Sequence, residues 1–250
     1  AFWTGGDQTR MDELFRQFER DPLERKPTIV VDEGAGKDQT NADAKDQTAQ
    51  SDYYDRRFAG GEPQRNYYAE TRREAICAAV AGLRRQDLRV LELGCGRGQL
   101  AAALTAFGRV TGVDWSQVGV EAARQACPEG EFLCGDFFEV ELPAASFDVV
   151  VSEEVVEHLA GPRQLDFLRL ARRALKAGGL LVLTTPNRPV AERANEAFRR
   201  HTGHDWSEQP TEDYLTCDEL SARLQEAGFA VQSVETIMPL DNVGGLHICA

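Results

Sequence analysis

From residue 88 onward the chain alternates short apolar runs with amphipathic ones. Runs suited to strands buried on both faces occur at 89–93 (RVLEL), 109–113 (RVTGV), 131–134 (EFLC), 147–151 (FDVVV) and 180–184 (LLVLT). Between them, LAAALTAF, VGVEAARQA and LDFLRLARRALKA carry apolar residues at helical spacing. The last is expected to stop at Lys176-Ala177-Gly178, where a basic turn meets a glycine. Thr216-Cys217-Asp218-Glu219 spells a capping box, so a helix is expected from there to Gly228, with strands after it at 229–236 and 246–250. This alternation predicts an α/β fold: a doubly wound, mostly parallel sheet of seven strands with helices on both faces. A ligand crevice would then lie at the carboxyl ends of the strands.

The chain before residue 88 reads differently. The run MDELFRQFERDPLERKP places Leu14, Phe15 and Phe18 on one helical face, fit either to cover the crevice or to dock on a partner. Residues 32–52 are polar, spell KDQT twice and hold no large apolar side chain after Val31, so a flexible linker or exposed loop is expected. Aromatics return at Tyr53, Tyr54, Phe58, Tyr67 and Tyr68, followed by an expected helix through Arg85. The division is therefore a helical and flexible extension over 1–52 and an α/β domain over 53–250.

Composition narrows the partners. The formal net charge is −13, and residues 1–52, with 12 acidic and 7 basic side chains, contribute −5 of it, leaving −8 for the rest. A grip on nucleic-acid phosphates needs a surplus of Lys and Arg. A small-molecule partner is expected, and nucleic acid is not. No stretch approaches the ~20 apolar residues of a membrane span, and the opening AFWTGGDQTR lacks the regions of a signal peptide. The six cysteines form no C-x-x-C pair, which favours reduced thiols and a cytoplasmic location over a cysteine zinc site. A homodimer is compatible with all of this.

Candidate chemistry gathers where strands end. VLEL runs into Gly94-Cys95-Gly96-Arg97-Gly98, so glycines alternate directly after Glu92, where the backbone must turn tightly and approach a ligand. The second strand ends at Asp114-Trp115, a carboxylate that can accept from two ribose hydroxyls beside an indole suited to stack on a purine. The third ends at Asp136-Phe137, a carboxylate suited to an adenine amino group, and the fourth brings Ser152 and Glu153 to the same rim. Cys95 reads as a small filler, His201 as surface, His247 as core or edge, and Asn187 as part of the rim. Next comes Glu154-Val155-Val156-Glu157-His158. On a helix, Glu154, Glu157 and His158 would share a face and could hold a divalent ion such as Mg²⁺, Mn²⁺ or Zn²⁺, which would acidify an acceptor hydroxyl. The plain alternative is a polar helix edge with no ligand. Without a metal, His158 could act as general base.

The joint spacing of Glu92, Gly94, Gly96, Gly98, Asp114 and Asp136 resembles the class I S-adenosylmethionine-dependent methyltransferases over roughly residues 53–250. The resemblance implies a Rossmann-like methyltransferase sheet and S-adenosylmethionine as cofactor. Glu92 and the three glycines would face its methionine end, Asp114 its ribose and Asp136 its adenine; Trp115, Phe137 and Ser152 complete the expected contacts. A nicotinamide or flavin dinucleotide site is the rival. Gln99 breaks its glycine spelling, and the shifted frame Gly96, Gly98, Ala101 leaves Glu92 and Asp136 without a task. SEEVVEHL with LKAGGLLVLTTPNR is similar to the ubiquinone-biosynthesis O-methyltransferases and, more distantly, to small-RNA 2′-O-methyltransferases. Both carry E-x-x-E-H in association with a metal. Thr202-Gly203-His204-Asp205-Trp206 resembles a segment of the ubiquinone group, which makes His204 a further candidate ligand or base. The chain departs from that pattern in its 1–52 extension and in SEQPTE before DYLTCDEL. The resemblance implies methyl transfer to a hydroxyl of a small molecule such as a phenol, catechol, sugar or other natural product. The alternatives are a small-molecule N-methyltransferase, an RNA 3′-end 2′-O-methyltransferase and a non-catalytic S-adenosylmethionine-binding protein.

Overall fold

Alternate residues of the strands go to opposite faces of one sheet, and each face carries its own apolar cluster. The computed structural model describes residues 40–60, 67–203, 211–236 and 245–249; the run around Leu14, Phe15 and Phe18, and His204, lie outside them. The parallel strands are β1 (Leu88–Leu93), β2 (Gly108–Asp114), β3 (Glu131–Cys134), β4 (Phe147–Glu153) and β5 (Leu175–Thr185), adjacent in the order β3-β2-β1-β4-β5. Beyond β5, β7 (Gly245–Cys249) runs antiparallel to it, and β6 (Val231–Thr236) runs antiparallel to β7.

Helices follow the same two-sided logic. On one face lie α2 (Tyr67–Ala81), α3 (Gln99–Leu104) and α4 (Gln117–Ala126), which bury Ile76, Val80, Leu100, Leu104 and Val120 against Val90, Val149 and Val182. On the other, α5 (Gly161–Ala174) and α7 (Cys217–Glu226) bury Phe167, Leu168, Leu220 and Leu224 against Leu91, Val150 and Leu183. The capping box expected at Thr216 and Glu219 is formed in both directions. Strand order reverses between β1 and β4, and at such a switch point the connections leave in opposite directions and open a crevice at the strand tips.

Three expectations need correction. The helix expected to run to Gly178 stops at Ala174, because Leu175 is already extended, pairs with Phe147 and is buried in the core. The helix expected through Arg85 ends at Ala81. Residues 40–52, expected to be linker or loop, lie in a helix, α1 (Thr40–Ala59), so the expected division at 52/53 falls inside one element. Near its middle this helix meets the strand ends through polar contacts: Gln50 is buried and its Nε2 donates to the His158 carbonyl at 3.4 Å, and Ser51 Oγ donates to the Trp115 carbonyl at 3.3 Å. One further helix, α6 (Arg188–Thr202), was not anticipated: six of the fifteen residues of RPVAERANEAFRRHT are charged, and its apolar positions are few and mostly alanine. Among the described residues no helix is long and apolar enough to cross a membrane.

Candidate functional site

The crevice at the switch point is a cavity of about 370 Å³, floored by the tips of β1 and β4 and roofed by α1. Gly94, Gly96, Asp114, Trp115 and Phe137 line one end. At Gly94 the backbone takes φ +81°, and a Cβ there would sit 2.3 Å from Val155 Cγ2. Only glycine fits. The Gly96 N–H donates to Asp114 Oδ2 at 2.8 Å and the Ser116 N–H donates to Oδ1 at 2.9 Å, which holds the Asp114 carboxylate at the tip of β2. Each oxygen keeps a further lone pair for a ligand hydroxyl. Burial raises the Asp114 pKa to about 6, against those two backbone bonds. The Trp115 and Phe137 rings lie 6.1 Å apart between centroids, 31° from parallel, beside that carboxylate.

Four expected contacts sit behind this surface and do not line the cavity. Glu92 is buried under it, with Oε2 lacking a hydrogen-bond partner; burial, then Glu153 and Asp114, push its carboxyl well above the usual range. Gly98 permits close packing instead, since a Cβ there would meet Ala123 Cβ at 2.8 Å. Asp136 accepts from the Phe138 N–H at 2.8 Å and from Arg163 at 3.3 Å, and that guanidinium lies over the Phe138 ring. Ser152 is fully buried between β1 and β5. Cys95 is buried, as a filler would be.

The opposite end is built from pieces distant in sequence. Glu154, Glu157 and His158 do not share a helical face: Glu154 is left-handed at φ +55°, and Val156–His158 form a single 3₁₀ turn. Glu157 is buried and accepts from Thr185 Oγ1 at 2.9 Å; burial and then the charge of Glu154 raise its pKa well above the usual range. Burial lowers the His158 pKa to about 4, so the imidazole is neutral near pH 7. Its Nδ1 lies 3.2 Å from the Thr211 carbonyl, which can only accept, so Nδ1 carries the proton and Nε2 the free lone pair. The segment holding Thr211 is pinned on several sides. The Asp213 N–H donates to the Glu157 carbonyl at 2.7 Å, Asp213 Oδ2 accepts from the Gly161 N–H at 2.8 Å, and the Asp213 carbonyl accepts from Gln164 at 2.7 Å.

The expected metal set does not assemble. Among the described residues no three His, Cys, Asp or Glu side chains form a group that could hold an ion. Arg72 stands at Glu153 (3.2 Å) and Glu154 (3.7 Å), supplying a positive charge where a cation would go, and His158 Nδ1 is committed to Thr211. His204 lies outside the described residues.

Several cavity residues were not expected at the site from sequence: Tyr54, Arg57 and Phe58 on α1, Arg72 on α2, and Glu212 and Tyr214 beside Thr211. Tyr54 and Phe58 are one helical turn apart, a legible signal that the linker expectation on the preceding residues hid. Arg72 and Glu212 carry no local signal. The roof itself is latched. Asp55 Oδ1 accepts from Ser116 Oγ at 2.5 Å and from the Val118 N–H at 3.3 Å, Arg97 donates to the Phe58 carbonyl at 3.1 Å, and the Phe58 ring lies on the glycine turn, 3.2 Å from where a Gly96 Cβ would be.

A glycine turn, a carboxylate at the next strand tip and a roofed crevice thus meet at the switch point of an α/β sheet, and the chain can be set beside known proteins. Residues 91–183 match the family model described as a methyltransferase domain. The chain is similar to a probable S-adenosylmethionine-dependent methyltransferase of Mycobacterium tuberculosis, 37% identical over 145 residues, which are 56% of this chain and 48% of that protein. It is also 33% identical over 149 residues to the ubiquinone biosynthesis O-methyltransferase of a Ruegeria species, covering 56% of this chain and 60% of that one. The chain thus spans about half to three-fifths of the length of these relatives. In fold it is similar to magnesium protoporphyrin IX methyltransferase of Synechocystis PCC 6803, with a TM-score of 0.63 at 17% identity over 82% of this chain and 98% of that one. The expected resemblance to S-adenosylmethionine-dependent methyltransferases, the ubiquinone group included, and the Rossmann-like α/β fold are both found.

Proposed function

We propose that this chain transfers a methyl group from S-adenosylmethionine to a hydroxyl oxygen of a small molecule. The observation that carries the reading is His158: a buried neutral imidazole on the cavity wall, its Nδ1 committed to the Thr211 carbonyl and its Nε2 lone pair available. In this reading the sheet is the seven-stranded methyltransferase arrangement, with β7 and β6 as its antiparallel extension.

S-adenosylmethionine, when bound, supplies a methyl on a sulfonium that needs no further activation. Asp114 accepts from the ribose hydroxyls, the Gly94–Gly96 turn lets the backbone approach the amino-acid tail, and Trp115 with Phe137 offers ring surface to the adenine. Glu92, Gly98, Asp136 and Ser152 support that end from behind. At the other end, His158 Nε2 takes the acceptor hydroxyl's proton as oxygen attacks, and α1 keeps bulk water out while the acceptor is held in line. The E-x-x-E-H donors do not fit a metal in the arrangement described above, so no step is assigned to one.

The test is incubation with methyl-labelled donor and a panel of phenols, catechols, sugars and amines, read by mass spectrometry before and after EDTA. Label on oxygen, unchanged by chelation, is expected. Label on an amine nitrogen would replace the reading with N-methylation, and donor binding without any labelled product would replace it with a non-catalytic binder.

A further inference from the structure

The roof helix α1 turns two neighbouring stripes toward the two ends of the cavity. Positions 51, 55 and 58 share one stripe, and they meet the cofactor end. Ser51 donates to the Trp115 carbonyl, Asp55 accepts from Ser116 and Val118, and the Phe58 ring lies on the Gly96 turn. Positions 50, 54 and 57 share the other stripe, which runs along His158. Gln50 Nε2 donates to the His158 carbonyl, and the Tyr54 ring meets the His158 ring edge-on with centroids 5.9 Å apart. Arg57 comes next on that stripe, one turn beyond Tyr54. It lines the cavity yet is exposed, which places it at the mouth on the His158 side.

Arg57 is a charge without a counter-charge. Its Nη1 donates to the Tyr53 hydroxyl at 3.2 Å, one turn back on α1, which steadies the guanidinium and leaves most of its N–H donors unused. Among the described residues no carboxylate pairs with it. The other guanidinium of the cavity differs, since Arg72 stands at Glu153 (3.2 Å) and Glu154 (3.7 Å). The remaining acids have hydrogen-bond partners of their own: Glu157 accepts from Thr185, Asp114 from two backbone N–H groups and Glu212 from the Tyr214 hydroxyl. An unpaired guanidinium on a cavity wall offers a planar fork that matches a carboxylate with two parallel bonds. A doubly charged phosphate suits the place less, because Glu154 and Glu212 line the same cavity and repel it more strongly. Burial and, to a smaller degree, the charge of Arg57 hold the His158 pKa down. An anion seated on Arg57 offsets the second cause and makes Nε2 more basic once the acceptor is in place.

We propose that the methyl acceptor is a small hydroxylated acid, its carboxylate held by Arg57 at the cavity mouth and its hydroxyl directed to His158 Nε2. Arg57 is the specificity-determining residue. The inference rests on the methyl-transfer reading for the position of the hydroxyl, and on the α1 geometry for the carboxylate.

The experiment is calorimetric titration of the full chain, saturated with S-adenosylhomocysteine, using two matched sets: 4-hydroxyphenylacetate, 4-ethylphenol and tyramine; glucuronate, glucose and glucosamine. The acid of at least one set is expected to bind about tenfold tighter than its neutral and cationic counterparts, a preference that shrinks as salt is raised. Arg57→Gln should remove most of that preference, Arg57→Lys should keep part of it, and Arg57→Glu should turn it toward the amine. Because Arg57 is exposed, the urea midpoint and the S-adenosylhomocysteine affinity of each variant should match those of the unchanged chain. Weaker S-adenosylhomocysteine binding by a folded Arg57→Gln would assign the guanidinium to the donor's own carboxylate and overturn the inference. Equal or better binding of the neutral or cationic members, no binding by any member, or a preference that survives Arg57→Gln and Arg57→Glu would overturn it as well. Methyl transfer is followed on the same ligands. Labelled product without charge preference sinks this inference and leaves the transfer reading, whereas charge preference without labelled product does the reverse.

Discussion

The two ends of the cavity are built on opposite plans. The end assigned to the cofactor is backbone and strand tip: Gly94, Gly96 and Asp114 follow two adjacent strands within 21 residues and are tied by the Gly96–Asp114 bond. The end assigned to the acceptor has no single element beneath it. It draws on a 3₁₀ turn at 156–158, a pinned segment at 211–214 and the helix α1, joined by contacts that span 53 residues (His158 to Thr211) and 108 residues (Gln50 to His158). The first plan suits an invariant ligand. The second permits the acceptor to change while the sheet stays as it is.

The sharpest way to break the contrast is Gly94→Ala. Left-handed backbone and a Cβ 2.3 Å from Val155 Cγ2 together should cost on the order of 3 kcal/mol, lowering the urea midpoint and abolishing S-adenosylhomocysteine binding. Adding Val155→Ala should recover part of the loss; no recovery would mean that the close approach to Val155 is not what demands glycine.

Next in size is His158, which tests whether the ends are functionally separate. His158→Gln should lower turnover by roughly 100-fold or more while leaving cofactor affinity near that of the unchanged chain. The same variant carries a stability signature. With its folded pKa depressed to about 4, His158 takes up a proton more readily in the unfolded chain, so its contribution is complete above about pH 6.5 and is lost as pH falls toward 4. Asp114 works in the other direction: with its pKa raised to about 6, its contribution is complete below about pH 3.8 and is lost as pH rises through 6. Urea midpoints of the unchanged chain should therefore fall relative to His158→Gln between pH 6.5 and 4. Parallel curves would show that the imidazole is not buried neutral.

The smallest expected effect concerns the roof that both ends share. Asp55→Ala frees Ser116 Oγ and the Val118 N–H, and stopped-flow release of S-adenosylhomocysteine should speed up about tenfold with little change in melting temperature. An unchanged release rate would mean that α1 does not gate that end.

Legibility in the sequence followed the same division. The five parallel strands and the glycine–aspartate spacing were readable because each rests on local rules, period two for a buried strand and glycine at a tight turn. Glu154, Glu157 and His158 were legible as residue types but not as geometry, since a left-handed Glu154 breaks the helical spacing that i, i+3, i+4 presumes. Residues 40–52 misled for a different reason. Their composition cannot bury apolar area, yet Gln50 and Ser51 find backbone carbonyls 108 and 64 residues away, and no local rule predicts such contacts. Arg72 and Glu212 share that long-range character.

The carbonyl of Thr211 orients the imidazole, and the very next side chain, Glu212, lines the cavity. Point substitution at 212 leaves the peptide that aims His158 where it is, whereas inserting or deleting a residue in 211–213 shifts both at once. Laboratory evolution toward new acceptors should accordingly accumulate exchanges at this stretch and reject changes in its length.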